Sequence, residues 1–251
     1  MKRLAGRIIL VTGSARGLGF AIAKRCAEEG ATVEMCDILD DVGRLAAGEL
    51  NAAGHTVHFQ PCDITKQAEV DALFASIRAR RGRLDGLVNN AALATRLAGK
   101  GFDEIDETVW DRVFDINVKG TWRVTKAAAS LLREAKPGRV VNLASDTALW
   151  GGDMFLHYIT SKGAIIAMTR VLARELGPHD VTVNAIAPGL TPTEATEAAP
   201  ERRWKQYLDG QLIKRAPSVE DIAAMAAFLL SPDAAMITGQ TMAVNGGMTL
   251  N

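Results

Sequence analysis

The sequence predicts an α/β fold: a doubly wound parallel sheet of seven strands with helices on both faces, forming a single domain over residues 1–251. Three observations predict it. Short β-branched runs alternate with longer amphipathic stretches along the chain, the mark of a parallel sheet wrapped by helices. No linker, internal repeat or low-complexity tract interrupts that alternation. A length of 251 residues is enough for one large domain with an extensive core.

The strands are read, in order, at RIILVTG, ATVEMCD, TVHFQPCD, LDGLVNN, GRVVNLAS, VTVNAIAPG and QTMAVNG. Helices fill most of the gaps between them. LGFAIAKRCAEEG (18–30) and ITSKGAIIAMTRVLARELG (159–177) each end on a glycine suited to a helix C-terminus. Residues 190–217 mix turn formers with a short helical pattern, and a segment of this length beside a parallel sheet is expected to be a substrate lid.

Composition narrows the function classes. Twenty-nine basic and 29 acidic residues cancel, so neither a nucleic acid nor an acidic membrane surface is expected as a partner. A small neutral molecule suits the chain better. The basic start is followed by IILV, which stops at Thr12 and Gly13, too short for a secretion signal. No segment approaches the ~20 apolar residues that cross a bilayer. Cys26, Cys36 and Cys62 form no CxxC pair, and the expected location is a reducing cytoplasm. His55, His58 and His179 lack ligand-like spacing, so no metal is expected.

TGSARGLG (12–19) lies between the first strand and the first helix. Gly13 permits a tight turn there, Gly17 a close approach of backbone to a pyrophosphate, and Gly19 close packing of helix on strand, while the helix N-terminus offers amide donors. Asp37 ends the second strand, where a carboxylate accepts the two hydroxyls of an adenosine ribose and repels a 2′-phosphate. NAD is therefore expected over NADP. Arg16, inside the turn, is the counter-indication, since a guanidinium there suits that phosphate. Asp37 also has a purely structural reading, as a cap for the helix beginning near Asp40.

HYITSK (157–162) places Tyr158 four positions ahead of Lys162. On a helix the two share a face, close enough for the ammonium to alter the acidity of the phenol.

Together these residues resemble the short-chain dehydrogenase/reductase family, in its branch of roughly 250-residue single-domain enzymes. The likeness runs the full length: TGSARGLG is similar to the family's TGxxxGxG turn, CDIT (62–65) to its adenine-contacting segment, and NNAA (89–92) to its NNAG. YITSK is similar to YxxSK, APG (187–189) to the turn after strand six, and ITGQTMAVNGG (237–247) to the last strand. Ala92 and Asn245 depart from the pattern, standing where glycine and aspartate are common. The resemblance implies a Rossmann-type sheet of order 3-2-1-4-5-6-7, a homotetramer, and a catalytic set of Asn117, Ser145, Tyr158 and Lys162. It implies cofactor contacts from Gly13, Ser14, Arg16, Gly17, Leu18, Gly19 and Asp37 at the first turn, and from Asp63, Ile64, Asn89 and Ala91 beyond it. Tyr158, Lys162, Pro188, Gly189, Thr191 and Thr193 complete that set.

The resemblance further implies that Tyr158 is the general acid and base of a hydride transfer between a nicotinamide and a secondary alcohol or ketone. Its phenol, near pKa ~10 when unperturbed, is expected to be lowered by Lys162. Ser145 would donate to the substrate oxygen, and Asn117 would anchor a water that links Lys162 to solvent. His157 is expected at the substrate rim or against a neighbouring subunit, without a catalytic role. Trp150, Met154, Phe155, Leu149, Trp204, Tyr207 and Leu208 are expected to wall an apolar pocket, so a hydrophobic, cyclic or aromatic substrate is favoured, with Ser145, Trp150 and Tyr158 against it. Arg96 and Lys100 leave room for an acidic or acyl-thioester substrate, which makes a 3-oxoacyl thioester reductase the alternative. A dinucleotide-binding scaffold without turnover is the reading from another class.

Overall fold

Every strand read from the sequence forms, because each β-branched run is short, nearly continuous and bounded by turn residues. In the computed structural model, which describes residues 2–95 and 97–250, the strands are β1 (Ile8–Thr12), β2 (Thr32–Asp37), β3 (Val57–Pro61), β4 (Gly86–Asn89), β5 (Gly138–Leu143), β6 (Val181–Pro188) and β7 (Thr241–Val244). Between them lie α1 (Gly17–Glu28), α2 (Asp40–Ala52), α3 (Gln67–Arg81), α4 (Glu107–Phe114) and α5 (Thr121–Ala135). The second half contributes α6 (Thr147–Trp150), α7 (Leu156–Leu176), α8 (Glu201–Gly210) and α9 (Val219–Leu230).

All seven strands are parallel, in the order β3-β2-β1-β4-β5-β6-β7. This is the expected sheet: one doubly wound, Rossmann-type domain. Side chains alternate across it. Ile9 and Val11 of β1 pack with Ile22, Ala23, Ile222 and Leu230 on one face. Ile8 and Leu10 pack with Leu73, Ile77, Leu131 and Leu132 on the other. Each fully buried aliphatic side chain of this kind contributes about 1.5–3 kcal/mol, and the central strands β1, β4, β5 and β6 are buried at every position.

Two connections matter for function. The chain leaves β1 for β2 on one side and β4 lies on the other, so the strand order reverses beside β1 and opens a crevice at the carboxyl ends of the strands. Between α4 and α5 the helix widens into a π-helical segment, Asp115–Gly120, the kind of local bulge that often marks functional sites.

The end of α7 differs from expectation. Gly177 keeps helical geometry at φ −54° and the chain continues into a 3₁₀ turn through Pro178. Asp180, at φ +61°, is the left-handed residue that ends it. Proline is compatible with the first positions of such a turn, so the glycine is not needed as a stop. Residues 190–217 hold α8 between two irregular stretches. No helix among the described residues is long and apolar enough to cross a membrane.

Candidate active site

The glycine turn after β1 is held open by contacts that leave no room for side chains. Gly13 has φ +62°, and a Cβ on it would lie 2.6 Å from Ala91 Cα. At Gly19 a Cβ would overlap the Gly13 carbonyl oxygen and lie 2.5 Å from the Asn90 amide nitrogen. Asn90 fixes the turn by donating to the carbonyls of Thr12 at 3.0 Å and Gly13 at 2.8 Å. No side chain caps α1 and no acid lies in its first turn, so its amides face the cleft as an anion cradle.

Asp37 stands at the end of β2 with one carboxylate oxygen accepting from Ala15 N at 3.0 Å and the other from Leu39 N at 3.1 Å. The carboxylate thus braces the glycine turn and the entry to α2 together, and it still lines the cleft. Asp63 is braced similarly by Thr65, whose amide and hydroxyl both donate to it.

One cleft of about 580 Å³ joins this cradle to the carboxyl ends of β5 and β6. Along it lie Gly13, Arg16, Gly17, Leu18, Gly19, Asp37, Asp63, Ile64 and Ala91 at one end, and Ser145, Tyr158, Lys162, Pro188, Gly189, Thr191 and Thr193 at the other. Four residues of the expected catalytic, cofactor-binding and substrate-contacting set do not line it. The Ser14 side chain is fully buried and donates to the Cys36 carbonyl. Asn89 turns into the sheet, donating to Thr125 at 2.9 Å and Asn142 at 2.8 Å, and its neighbour Asn90 takes the cleft position. Trp150 packs edge-on against Tyr207, with ring centroids 5.8 Å apart.

Asn117 is the fourth. Its carboxamide accepts from Leu93 N at 2.7 Å and donates to Leu93 O and to Ser161 Oγ at 3.0 Å. Both amide hydrogens and one lone pair of the oxygen are used in fastening the segment after β4 to α7, so the side chain holds the site's frame. The π-helical segment that carries it is what turns it inward.

At the reacting end Ser145 follows β5, its hydroxyl 2.8 Å from that of Thr147. Tyr158 and Lys162 share a face of α7 as their spacing predicted, with the ammonium 5.6 Å from the phenol ring centroid. Lys162 Nζ donates to the Leu143 carbonyl at 2.7 Å, and burial lowers its pKa to about 8. Lys162 alone does not lower the phenol, to which the positive nicotinamide of an oxidised cofactor would add a pull in that direction. Burial pushes Tyr158 up to about 12, against smaller opposing effects of the Ser145 hydroxyl and the Arg203 charge. The reason is that a low dielectric penalises the charged form of both acids and bases.

Several residues of this end were not singled out from sequence. Asp146 is fully buried; it accepts from Tyr207 Oη at 2.8 Å and from Asn245 Nδ2 at 3.4 Å. Asn245 standing where an aspartate is common is thereby explained: a second carboxylate would face the buried one. The Phe155 ring stacks on Tyr158 at 4.4 Å and 11°, and the Arg203 guanidinium lies 5.1 Å from the centroid of the Phe155 ring. Met154, Phe155 and Tyr207 line the cleft as expected, whereas Leu149, Trp204 and Leu208 do not; Leu149 packs instead with Ile165 and Ile166. His157 is 2 % exposed and packed against Phe155, so it lies under the rim. Lys100 is exposed and does not line the cleft, though its neighbour Gly99 does, and Arg96 lies outside the described residues.

A phosphate cradle joined by one cleft to a phenol, a lysine and a serine hydroxyl is the architecture of a nicotinamide-dinucleotide oxidoreductase. Gly13 and Gly19, with the uncapped helix start, fit a pyrophosphate, and Asp37 fits a ribose. A family model described as enoyl-(acyl carrier protein) reductase matches residues 13–249. Over 247 residues, and 98% of each chain, the sequence is 38% identical to a (2S)-[(R)-hydroxy(phenyl)methyl]succinyl-CoA dehydrogenase subunit of Thauera aromatica. It is 33% identical, over the whole of both chains, to a cyclopentanol dehydrogenase of Comamonas testosteroni. The solved 3-ketoacyl-(acyl-carrier-protein) reductase of Brucella melitensis, complexed with NADH, superposes with a TM-score of 0.90 at 30% identity, covering 98% of this chain and all of the other. The chain belongs to the short-chain dehydrogenase/reductase family.

Proposed function

We propose that this protein is an NAD(H)-dependent oxidoreductase that interconverts a secondary alcohol and a ketone on a molecule with an apolar body. The observation that carries this reading is the joining, in one cleft, of Asp37 at the ribose end to Ser145, Tyr158 and Lys162 at the reacting end. The bound dinucleotide supplies or accepts the hydride.

The chain's own residues manage the oxygen of the substrate. Tyr158, held protonated by burial, donates its proton to a carbonyl oxygen as that carbon is reduced, and takes it back in the reverse direction. Ser145 donates a hydrogen bond to the same oxygen as charge develops on it. Lys162, buried behind the phenol and tied to Leu143 O, fixes the depth of the site and faces the place of the nicotinamide ribose. Asn117 keeps the 91–93 segment against α7 and so positions the wall opposite Tyr158. Phe155, Leu93, Met154 and Leu190 supply apolar walls.

NAD is preferred because Asp37 is braced by two backbone amides and cannot swing away cheaply. A 2′-phosphate about 4 Å from it would be repelled by roughly 4 kcal/mol at an effective dielectric near 20. Residues 190–217, which carry Thr191, Thr193 and α8, act as the lid. A cytoplasmic homotetramer is the assembly that family analogy supports. A second reading, reduction of a 3-oxoacyl thioester, is favoured by the likeness to the Brucella reductase.

Following NADH consumption across a panel of cyclic and aromatic ketones tests the proposal. Tyr158→Phe should lower kcat by at least a hundredfold, in line with the loss of a general acid, while NADH binding persists. Substantial turnover by that variant would show that another group donates the proton. Tight NADH binding with no turnover of any ketone would favour a scaffold.

A further inference from the structure

Building on the oxidoreductase reading above, we propose that Arg203 is the anion-recognition residue of the substrate end of the cleft, and that the substrate is an oxo or hydroxy acid whose carboxylate lies a few bonds from the reacting carbon. Arg203 sits on α8, half-buried, and lines the cleft. Its position is set by a stack of rings. The guanidinium lies 5.1 Å over Phe155, and Phe155 lies 4.4 Å from Tyr158 in a nearly parallel stack. The cation therefore lies no further from the phenol ring than these two separations combined.

What surrounds Arg203 leaves its donors for a ligand. Among the described residues its guanidinium makes no hydrogen bond and no ion pair, only the contact with the Phe155 ring. Its neighbour Arg202 also lines the cleft, but it is mostly exposed and lies 3.9 Å from Asp153 at the rim. Asp146 feels the Arg203 charge, but both its oxygens are engaged by Tyr207 and Asn245. A half-buried guanidinium presents a planar fork of donors that matches a carboxylate, and partial exclusion of water strengthens that match. Phe155, Met154, Leu93 and Leu190 give this end apolar walls, and Arg112, Asp153, Arg202 and Gln206 also line it. A greasy body with one anionic group answers both features; a wholly apolar alcohol leaves the guanidinium unmatched.

The test compares 4-oxo-4-phenylbutanoate with its methyl ester as ketone substrates, using wild type, Arg203→Met, Arg203→Lys and, as a control at the rim, Arg202→Met. Wild type should favour the acid in kcat/KM by at least tenfold, mostly through KM. Arg203→Met should erase that preference, Arg203→Lys should keep part of it, and Arg202→Met should keep it; melting curves confirm that each variant folds. Calorimetric titration of the enzyme–NADH complex with the unreactive pair 4-phenylbutanoate and 4-phenylbutanamide gives a readout that needs no turnover. The acid should bind at least tenfold more tightly to wild type and not to Arg203→Met. An acid-to-ester ratio near one, a preference that survives Arg203→Met, or failure of the acid to bind more tightly than the amide overturns the proposal. Turnover of the ester without preference for the acid removes the anion site and leaves the oxidoreductase reading intact. Selective binding of 4-phenylbutanoate without turnover of either ketone does the reverse.

Discussion

Asp146→Asn should make the protein more stable at pH 8 than at pH 4 relative to wild type, because the wild-type carboxylate is charged where there is no water to solvate it. Asp146 is fully buried, and that burial raises its pKa from 3.8 to about 6, with Tyr207 and Asn245 opposing the rise only in part. Such a rise corresponds to about 3 kcal/mol of preference for the neutral form. A folded chain that holds this proton more tightly than the unfolded chain loses stability as pH climbs. The penalty is absent well below pH 4, roughly half incurred by pH 5 and complete well above pH 6. Asparagine has no proton to lose in this range, so the stability difference between variant and wild type should grow by about 2–3 kcal/mol between pH 4 and pH 8, whatever its starting value. For a chain of this size that is roughly 4–12 °C in Tm. Urea unfolding at pH 4, 5, 6 and 8, with protein concentration fixed, reads the difference directly. A difference that does not change with pH, or that shrinks as pH rises, would refute the assignment of a buried, charge-penalised carboxylate.

Two more perturbations address the dinucleotide end. Gly19→Ala should weaken NADH binding at least tenfold by fluorescence titration, because the added methyl would collide with the Gly13 carbonyl and the Asn90 amide and push the phosphate turn out of shape; an unchanged Kd would show that the turn does not hold the cofactor. Asp37→Ala should narrow the ratio of kcat/KM for NADH over NADPH by about tenfold or more, the fold-change equivalent to about 1.4 kcal/mol, and an unaltered ratio would move the discrimination elsewhere, with Arg16 the first place to look.

How much of this was legible in the sequence depends on the distance over which each feature is decided. The seven strands follow from local composition, and their order from the family resemblance, within the chirality and crossover rules of parallel sheets; all seven strands form in that order. Tyr158, Lys162 and Ser145 were legible because each belongs to a local motif. Asn89 and Asn90 were not resolved from each other: neighbours at a strand end point to opposite faces, and a one-residue choice decides which is buried among Thr125 and Asn142 and which meets the cleft. Trp150 was read as a pocket wall because large aromatics usually are, but its partner Tyr207 lies on α8, far along the chain. Asp146, Asn245 and Arg203 carry no local signal. Their roles come from contacts between β5, the C-terminal strand region and the 190–217 segment, which periodicity does not encode. Only Asn245 had a hint, as a departure from the family pattern.

The largest gap between sequence and structure lies in the electrostatics of Tyr158. Four-residue spacing gives proximity, and proximity suggests that an ammonium should acidify a phenol. Yet the same burial that brings the two groups together raises the phenol to about 12 and lowers the lysine to about 8, so each is pressed towards its neutral form. Lys162 spends its charge on the Leu143 carbonyl and on the face of the ring, not at the hydroxyl. Arg203 is the cation that acts against burial at Tyr158. A carboxylate bound to that guanidinium would cancel its pull and leave the phenol still more firmly protonated. On the proposed anion site, recognition of a carboxylate and the protonation of Tyr158 would then be coupled through one residue of α8.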